Sequence, residues 1–391
     1  MTSKPSILSL ALLGFSTLLL SNNPSYGQKV WRGGTPEQSI FGTPEWTVTD
    51  NWQPNVAPTS IETATFNATS GANTLVTFFG GGVANSISIA SDAASHTFGS
   101  PTNPQSVNNA GAVTIGGTGL NASISNASSN SQTFVSRVDF NTASNTRTIS
   151  NSGLGNLTFE ATSSVNASTG SLAINNNGTG FINFNGGVTA GQIEVGGNGQ
   201  VRFSSSVSGP VASSGRLDGT GSISGALTLN NGAVYSPGAG AIGNQVIGSS
   251  VALNQNELIV NSGSVFEFDL NSTASDSINL SNRNLNLAAT GGQLTVRLNL
   301  LSAVNVNPLF SWDIFTNVAN AASVDLSRLG IDFVGGNLTG SANTINNFAW
   351  SQSGSSLRIT AVPEPSSMAL LGMAGLIGGV YARRRAKKNK A

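Results

Sequence analysis

Short stretches in which every second residue is apolar recur along most of the chain. Typical examples are Leu157-Thr-Phe159, Ile193-Glu-Val195 and Leu294-Thr-Val-Arg-Leu298. An apolar period of two places one face of a β-strand in a core and the opposite face in solvent. No segment between residues 28 and 362 shows the sustained apolar spacing of about 3.6 residues that marks a helix, so we expect strands throughout this region and no long helix.

Glycine pairs separate these predicted strands, among them Gly116-Gly117, Gly186-Gly187 and Gly291-Gly292. Glycine reaches positive φ without a steric penalty, which tight turns between short strands require. So many short strands exceed what one β-sandwich needs, whereas stacking them as a coil builds one continuous core. The sequence therefore predicts an all-β fold, a right-handed parallel β-helix or solenoid with β caps, in which stacked asparagines hydrogen-bond along the coil.

We divide the predicted body into three parts: an N-terminal β cap (28–100), a β-helix repeat body (101–305) and a C-terminal β element (306–361). The end rungs of a solenoid expose unpaired backbone and need covering by atypical units. Trp312 and Trp350 fit a closing C-terminal element of this kind.

Three of the five tryptophans, Trp31, Trp46 and Trp52, lie in the predicted N-terminal cap. Tryptophan is highly buried on average in folded proteins, so we expect these indoles to pack inside the cap. The alternative is a carbohydrate platform, because an exposed indole face can stack against a sugar ring. The three residues are therefore candidate glycan contacts.

Composition excludes several kinds of site. Of 391 residues, 17 are Lys or Arg and 17 are Asp or Glu, and the zero net charge disfavours nucleic-acid binding. The chain has no cysteine and a single histidine, His96, which any serine triad would have to use. Disulfides, cysteine-ligated metal centres and multi-histidine sites are excluded, and we expect no metal and no cofactor.

Glu267 and Asp269 are the candidates for carboxylate chemistry. Their spacing places both on one face of a predicted strand, and Asp276 follows nearby. A carboxylate pair could hydrolyse a glycosidic bond by acid–base catalysis. The alternative is that both are ordinary outward residues of the strand Val265–Leu270, with no Lys, Arg or His near them in sequence to tune their acidity. We favour this alternative and predict no catalytic residue and no enzyme activity.

The N-terminus, residues 1–27, is typical of a secretory signal peptide. A basic start at Lys4 precedes the apolar run Ile7–Leu20, and the small residues Ser25 and Gly27 follow. We expect cleavage after Gly27 and export across the inner membrane by the secretion machinery. An N-terminal membrane anchor is the alternative, although the apolar run is short for a membrane span.

The C-terminus combines a proline motif, an apolar segment and a basic tail. The motif Val362-Pro363-Glu364-Pro365 precedes a predicted transmembrane helix (367–382) and a basic tail (383–390). A helix of this length covers about 21–26 Å, slightly less than a hydrocarbon core of about 30 Å. The basic tail would stay in the cytoplasm and leave the body outside. A plain C-terminal anchor is the alternative to a sorting signal.

In order, spacing and terminal position, residues 362–391 resemble the PEP-CTERM sorting signal of Gram-negative bacteria. The resemblance implies recognition by an exosortase, a membrane-embedded, transpeptidase-like enzyme that cuts near the Pro-Glu-Pro triplet. It assigns recognition to the triplet with its preceding valine, and orientation in the membrane to an arginine cluster: Val362, Pro363, Glu364 and Pro365, then Arg383, Arg384 and Arg385.

A second resemblance covers roughly residues 216–298 and is carried by residues 215–238, from Gly215-Arg-Leu-Asp-Gly219-Thr-Gly221 to Ser236-Pro237-Gly238. A Leu-x-Gly-x-Gly turn, alternating strands and a Pro-Gly corner are similar to the autotransporter-associated β-strand repeat. This resemblance implies a structural repeat rather than a catalytic family.

Together these features predict an exported, non-enzymatic structural or interaction protein of the cell surface or extracellular matrix. Its C-terminal helix would hold the precursor in the membrane until an exosortase-like enzyme processes it, and an exopolysaccharide is a further expected partner. The alternative is a polysaccharide-binding or polysaccharide-degrading β-helix protein. A groove with exposed carboxylates or tryptophans would favour that alternative, whereas a smooth surface of Ser, Thr and Asn would favour the structural role.

Overall fold

A computed structural model describes residues 27–33, 44–70, 74–99, 111–141, 143–248, 256–287, 293–302, 304–306, 311–335, 338–340, 348–362 and 373. Strands dominate these ranges, with short 3₁₀ turns at Thr49–Asn51, Ala321–Ser323 and Leu326–Arg328. The prediction of a β-rich body is confirmed. No helix in these ranges is long and apolar enough to cross a membrane. Residues 1–26 of the predicted signal peptide, and the predicted membrane helix apart from Met373, lie outside the described residues.

In the described part of the chain, most strands belong to three long sheets. The first sheet runs in the order β2 (Trp52–Gln53), β1 (Gln28–Trp31), β3 (Thr63–Phe66), β6 (Ser86–Ile89), β9 (Asn121–Asn126), β12 (Thr146–Asn151), β15 (Ser171–Asn176), β18 (Gln192–Gly196), β21 (Val211–Ser213), β23 (Leu227–Leu229), β26 (Asn256–Val260), β28 (Ser277–Leu287), β31 (Ser311–Val318), β35 (Ser356–Ala361) and β34 (Phe348–Ser353). The second sheet runs in the order β32 (Leu329–Val334), β29 (Leu294–Leu300), β27 (Val265–Leu270), β24 (Val234–Pro237), β22 (Arg216–Gly219), β19 (Gln200–Phe203), β16 (Ile182–Phe184), β13 (Leu157–Phe159), β10 (Gln132–Phe134), β7 (Thr97–Phe98) and β4 (Leu75–Val76). The third sheet runs in the order β20 (Val207–Ser208), β17 (Val188–Thr189), β14 (Val165–Asn166), β11 (Val138–Phe140), β8 (Val113–Ile115) and β5 (Gly82–Ala84), while β25 (Asn244–Val246) pairs with β28 and β30 (Val304–Val306) pairs with β33 (Leu338–Gly340).

From β3 to β22 the chain visits the three sheets in turn and returns to each of them one rung later. After β9 in the first sheet come β10 in the second and β11 in the third, and β12 then pairs in parallel with β9. Equivalent residues stack in register, as Ile124 does on Ile149 and Phe134 on Phe159. Long parallel sheets wound in this way are the architecture of a β-helix or solenoid. The right-handed sense of the coil stays a prediction.

Aromatic rings stack along the second sheet inside the coil. Phe98, Phe134, Phe159, Phe184 and Phe203 are fully buried, and successive ring centroids lie 4.5, 5.0, 4.9 and 5.3 Å apart. Neighbouring strands lie about 4.8 Å apart, which imposes this spacing on any side chain that recurs at one position of successive rungs. Parallel pairing therefore converts a recurring phenylalanine into a continuous column of apolar contact.

Asparagines form a second internal column. Asn126, Asn151 and Asn176 are buried, and Nδ2 of Asn126 donates to Oδ1 of Asn151 at 2.9 Å. Nδ2 of Asn151 and Nδ2 of Asn176 donate to the carbonyl oxygens of Gly155 and Gly180 at 3.1 and 2.7 Å. The predicted hydrogen bonding between stacked asparagines is thus observed between Asn126 and Asn151, and carbonyl groups of the same rung supply further partners that the buried amides require.

The turn beside the asparagine column requires glycine. A side chain at Gly178 would overlap the carbonyl oxygen of Gly153, and one at Gly199 would overlap that of Gly178. The backbones of successive rungs touch at this corner, so only a residue without Cβ fits between them.

Parallel pairing continues on both sides of the predicted repeat body, and the boundaries at residues 100 and 305 stay a prediction. In the region assigned to the N-terminal cap, β3, β4 and β5 already pair in parallel with β6, β7 and β8. Beyond residue 305, β32 still pairs in parallel with β29. Strand β4 has only two residues, and an alternating pattern cannot reveal so short a strand. Periodicity in the sequence therefore could not locate the ends of the coil.

A tryptophan cluster closes the N-terminal end of the coil. Trp31, Trp46 and Trp52 are 0, 1 and 0% exposed, and the ring of Trp52 lies edge-on to the other two at centroid distances of 5.0 and 4.7 Å. Strand β2 pairs with β1 in the antiparallel sense at the same end. An end rung covered by large apolar rings is protected from solvent, as we expected for a cap.

An antiparallel hairpin closes the C-terminal end. Strands β34 and β35 pair with each other, and β35 pairs with β31 in the antiparallel sense, which ends the parallel stacking of the first sheet. Trp312 stacks on Phe348 with ring centroids 5.9 Å apart, and Trp350 stacks on Phe315 at 6.2 Å. Both tryptophans assigned to a closing element therefore pack at this end of the coil.

Phe184→Ala tests the aromatic column. Removing a ring that lies between Phe159 and Phe203 leaves a cavity, so we expect the free energy of unfolding to fall by about 3–5 kcal/mol. Chemical denaturation of the body measures this change. Thr189→Ala, at an exposed position of the same rung, is the matched control and should change the free energy by less than about 0.5 kcal/mol. Equal decreases in the free energy of unfolding of the two variants would contradict a specific role of the phenylalanine column.

Candidate functional site

The candidate glycan contacts Trp31, Trp46 and Trp52 lie inside the N-terminal cap. Their rings pack against one another and against Phe66, whose centroid is 6.0 Å from that of Trp31. The indole nitrogen Nε1 of Trp52 donates to the carbonyl oxygen of Trp46 at 2.7 Å. Stacking on a sugar requires an exposed ring face, and none of the three buried indoles provides one. The capping interpretation accounts for all three.

Glu267 and Asp269 lie on the outer face of the second sheet, yet they are only 6% and 5% exposed. Nη2 of Arg216 lies 2.5 Å from Oε2 of Glu267, and Nη1 of Arg297 lies 2.7 Å from Oε1. Nδ2 of Asn299 donates to Oδ1 of Asp269 at 3.2 Å. Each oxygen of the Glu267 carboxylate therefore accepts a charge-assisted hydrogen bond, which compensates its charge.

Strand pairing brings the two arginines to Glu267. Arg297 stands directly opposite Glu267 in the pairing of β27 with β29, and Arg216 reaches from β22, on the far side of β24. In sequence the two arginines are 30 and 51 residues from Glu267. Alternation correctly predicted that Glu267 points outward. It could not show which charges stand beside it, because that depends on which rungs stack.

The same outer face carries a longer run of paired charges, which we call the charged column: Arg202, Arg216, Asp218, Glu267, Arg297 and Asp332. Nε and Nη2 of Arg202 lie 3.0 and 2.9 Å from the two oxygens of Asp218, a bidentate contact. Nε of Arg297 lies 3.4 Å from Oδ2 of Asp332. Hydrogen bonding to Asp218 raises the pKa of Arg202, and hydrogen bonding to Glu267 raises that of Arg297. Positive and negative groups in the column therefore neutralise each other.

Asp276 is a fully buried carboxyl beside this region. Its Oδ1 accepts from the backbone N–H of Gly243 at 2.7 Å, and its Oδ2 accepts from that of Asp269 at 2.8 Å. Burial raises the pKa of Asp276 to about 7, while the two hydrogen bonds oppose the rise and the charge of Asp269 adds to it. The side chain joins β27 to the turn that leads into β25. Sequence reasoning placed it only as a neighbour of Glu267.

His96 is packed in the core of the N-terminal region. Its Nδ1 lies 2.8 Å from the carbonyl oxygen of Ala94, and its ring lies edge-on to Phe66 at 5.1 Å. Burial lowers the pKa of His96, and hydrogen bonds to the backbone oppose this shift. Among the residues that the structure describes, no three His, Asp or Glu side chains converge as metal ligands would.

Over strands β6, β9, β12 and β15, the outer face of the first sheet carries mostly short, uncharged side chains. Ser88, Ser125, Ser150 and Asn175 stand opposite one another on successive strands and are half-buried. A parallel row runs beside it, in which Oγ of Ser123 and Oγ of Ser86 hydrogen-bond at 3.1 Å. These four strands thus present mainly Ser, Thr and Asn on this face, while Glu194 of β18 and the pair of Asp313 with Arg358 place charges farther along the same sheet.

The body ends abruptly at the predicted sorting signal. Strand β35 finishes at Ala361, which is 2% exposed, and Val362 follows at 41%. Val362 is therefore the first residue after the packed strand. The other residues assigned to recognition and orientation lie outside the described residues: Pro363, Glu364, Pro365, Arg383, Arg384 and Arg385.

A family model described as the PEP-CTERM protein-sorting motif matches residues 361–385. The chain carries a PEP-CTERM sorting signal. The match begins at the last residue of β35 and includes the triplet and the arginine cluster, so the resemblance seen at the C-terminus is confirmed. The resemblance of residues 215–238 to the autotransporter-associated repeat stays a prediction. No curated protein matches the chain.

A PEP-CTERM signal implies export and a surface or extracellular destination, with an exosortase as the processing partner. The structure places the start of this signal at the C-terminal end of the coil, beside the closing hairpin. The functional site at this end is therefore a substrate site for another enzyme.

Asp276→Asn tests the pH dependence that burial imposes on the body. The folded pKa of about 7 exceeds the ordinary value of 3.8, so the folded body holds this proton more tightly than the unfolded chain does. The stability that Asp276 contributes is fully present below about pH 4 and is lost as the pH rises to about 7. We expect the free energy of unfolding of the wild type, followed by chemical denaturation across this interval, to fall relative to that of the variant.

His96, whose pKa is lowered, contributes the opposite slope, but it is present in both proteins and cancels in the difference. Asp313→Asn, at a carboxylate that is 45% exposed in its pair with Arg358, is the matched control. A difference between wild type and Asp276→Asn that does not change with pH would contradict the assignment.

Proposed function

We propose that the chain is an exported, non-enzymatic structural or interaction protein that an exosortase-like enzyme delivers to the cell surface or extracellular matrix. The observation that carries the proposal is the PEP-CTERM signal at residues 361–385, which begins where the packed body ends. Removal of a signal peptide after Gly27 and retention of the precursor by a helix over 367–382 belong to the same proposal.

The pairing of the carboxylates supports a non-enzymatic role. Glycoside hydrolysis needs one carboxylic acid that releases a proton and a second carboxylate that attacks the sugar or activates water. Glu267 is held by two arginines, and Asp218 by the bidentate contact with Arg202. Carboxylates whose oxygens already bind guanidinium groups are poorly suited to either role, so degradation of polysaccharides is the less favoured alternative.

The outer face of the first sheet supports an interaction role. Over β6, β9, β12 and β15, its hydroxyl and amide groups repeat about every 4.8 Å, the spacing of neighbouring strands. Such a face offers hydrogen bonds to a neutral, hydroxyl-rich polymer and little electrostatic attraction to a polyanion. A neutral exopolysaccharide is therefore the extracellular partner that we propose.

Replacing both Pro363 and Glu364 by Ala tests delivery by the sorting enzyme. We expect the precursor to stay uncut in the membrane fraction, because the recognition element is lost. Fractionation of the native host, with immunoblotting of the body, measures the outcome. Replacing Ser366 and Ser367 by Ala alters two residues just after the triplet and should leave processing unchanged. Normal processing of the Pro363/Glu364 variant would refute recognition of the triplet.

A combined glycan-binding and reducing-sugar assay on the processed protein tests the extracellular role. We expect binding to the neutral exopolysaccharide of the producing cell, and no release of reducing ends from neutral or acidic polysaccharides. Turnover that Glu267→Gln abolishes would establish the enzymatic alternative. Failure to bind the exopolysaccharide would remove it as the partner.

A further inference from the structure

Two ranks of outward residues run side by side across β6, β9, β12 and β15, and we call them together the polar strip. The four strands pair in register without a shift, so each outward residue stands directly opposite its equivalent on the next strand. All members except Ala173 carry a hydroxyl or amide group. The first rank is Ser86, Ser123, Thr148 and Ala173, and the second rank is Ser88, Ser125, Ser150 and Asn175.

The polar strip is flat. Its eight side chains are short and all half-buried, so none of them stands far above the sheet. The residue between the two ranks on each strand is an isoleucine that points inward and is 0% exposed: Ile87, Ile124, Ile149 and Ile174. Only main chain therefore lies between the ranks, which are about 6.6 Å apart along each strand. Hydrogen-bonding groups thus border both sides of a floor about as wide as one pyranose ring.

The strip ends after four rungs in both directions. On β3 the next residue of the second rank, Thr65, is only 5% exposed, and its hydroxyl accepts from Nε2 of Gln28 at 2.8 Å. On β18 the next residue of the first rank is Glu194, which stands opposite Ala173. The one charged residue of the four strands, Arg147, points inward and is 6% exposed. The strip is thus uncharged and has a carboxylate at one end, which suits a neutral ligand and repels a polyanion.

Hydroxyl groups of the strip also bond to one another and to main chain. Oγ of Ser123 donates to Oγ of Ser86 at 3.1 Å, and Oγ of Ser125 donates to the carbonyl oxygen of Ile87 at 3.5 Å. A serine hydroxyl has one donor and two acceptor sites, so a serine that donates inside the strip can still accept from outside. The strip therefore presents acceptors to the hydroxyl donors of a sugar.

The polar groups recur farther along the coil than along a strand. Along the coil they repeat about every 4.8 Å over four rungs, whereas a strand such as β6 (Ser86–Ile89) offers only two outward residues before it ends. An extended chain of β-linked pyranose sugars advances by close to one rung per sugar. Laid along the coil, each sugar of such a chain meets the same pair of outward positions.

We infer that the polar strip binds one extended chain of neutral, β-linked pyranose sugars, which lies along the coil axis with one sugar per rung. About four sugars contact the protein, because the strip spans four strands. This inference rests on the proposed binding of a neutral exopolysaccharide, to which it adds the binding residues, the sugar linkage and the direction of the chain.

Calorimetric titration of the processed protein with β-1,4-linked gluco-oligosaccharides of graded length tests the direction. We expect each added sugar to raise the affinity about two- to tenfold through new hydrogen bonds, up to about four sugars, with no gain beyond. The α-1,4-linked oligomers of the same lengths are the matched control. Their chains curve away from a flat face, so their affinity should not rise in this way.

An affinity that stops rising at two sugars would show that the chain lies along a strand, which overturns the inference. Binding of the native neutral exopolysaccharide without binding of the β-1,4-linked oligomers would also overturn it and leave the proposed function intact. Failure to bind either the oligomers or the native exopolysaccharide would overturn both.

Ser125→Ala combined with Ser150→Ala tests the assigned residues. The variant removes two hydroxyls from neighbouring rungs of the second rank, so we expect the affinity for the β-1,4-linked tetrasaccharide to fall about tenfold. Thr133→Ala combined with Thr158→Ala is the matched control, because these half-buried threonines stand opposite each other on the second sheet of the same two rungs. It should bind as the wild type does. Wild-type affinity in the serine variant, or an equal loss in both variants, would contradict binding at the polar strip.

Discussion

Parallel, in-register pairing of short strands is the interaction on which the rest of the structure depends. Strands such as β14 and β17 have only two residues, so they cannot satisfy their backbone groups or bury a core alone. Stacking solves both needs, because each rung supplies backbone partners to the next and repeats its apolar positions about 4.8 Å away. The phenylalanine column and the asparagine column are two outcomes of this one constraint.

The same stacking explains how so weakly charged a chain presents an ordered surface. Outward positions also repeat from rung to rung, so a serine at one rung stands beside a serine of the next, as Ser125 does beside Ser150. Where charged residues occur at such positions, stacking aligns them as pairs, and Glu267 lies between Arg216 and Arg297. Short polar groups solvate the first sheet over β6, β9, β12 and β15, and opposite charges balance each other on the second sheet and in the Asp313–Arg358 pair of the first.

The two ends of the coil differ in what they do. Buried tryptophans and the antiparallel strand β2 close the N-terminal end and protect its core from solvent. The hairpin of β34 and β35 closes the C-terminal end and also brings the chain out of the core at Val362, directly before the PEP-CTERM triplet. The C-terminal end therefore has two roles, because the strand that completes the core there is also the strand that leads to the sorting signal.

The sequence by itself determined features that depend on local covalent order. Alternation in Ile193-Glu-Val195 was enough to predict a strand with Glu194 outward. The Pro-Glu-Pro triplet, with its apolar segment and arginines, was recognisable because a sorting signal is read as a linear sequence. Only the tertiary structure decided which rungs stack, and hence that Glu267 meets arginines 30 and 51 residues away. Register across such separations depends on the lengths of the intervening loops and on the packing of the whole core, which no local pattern encodes.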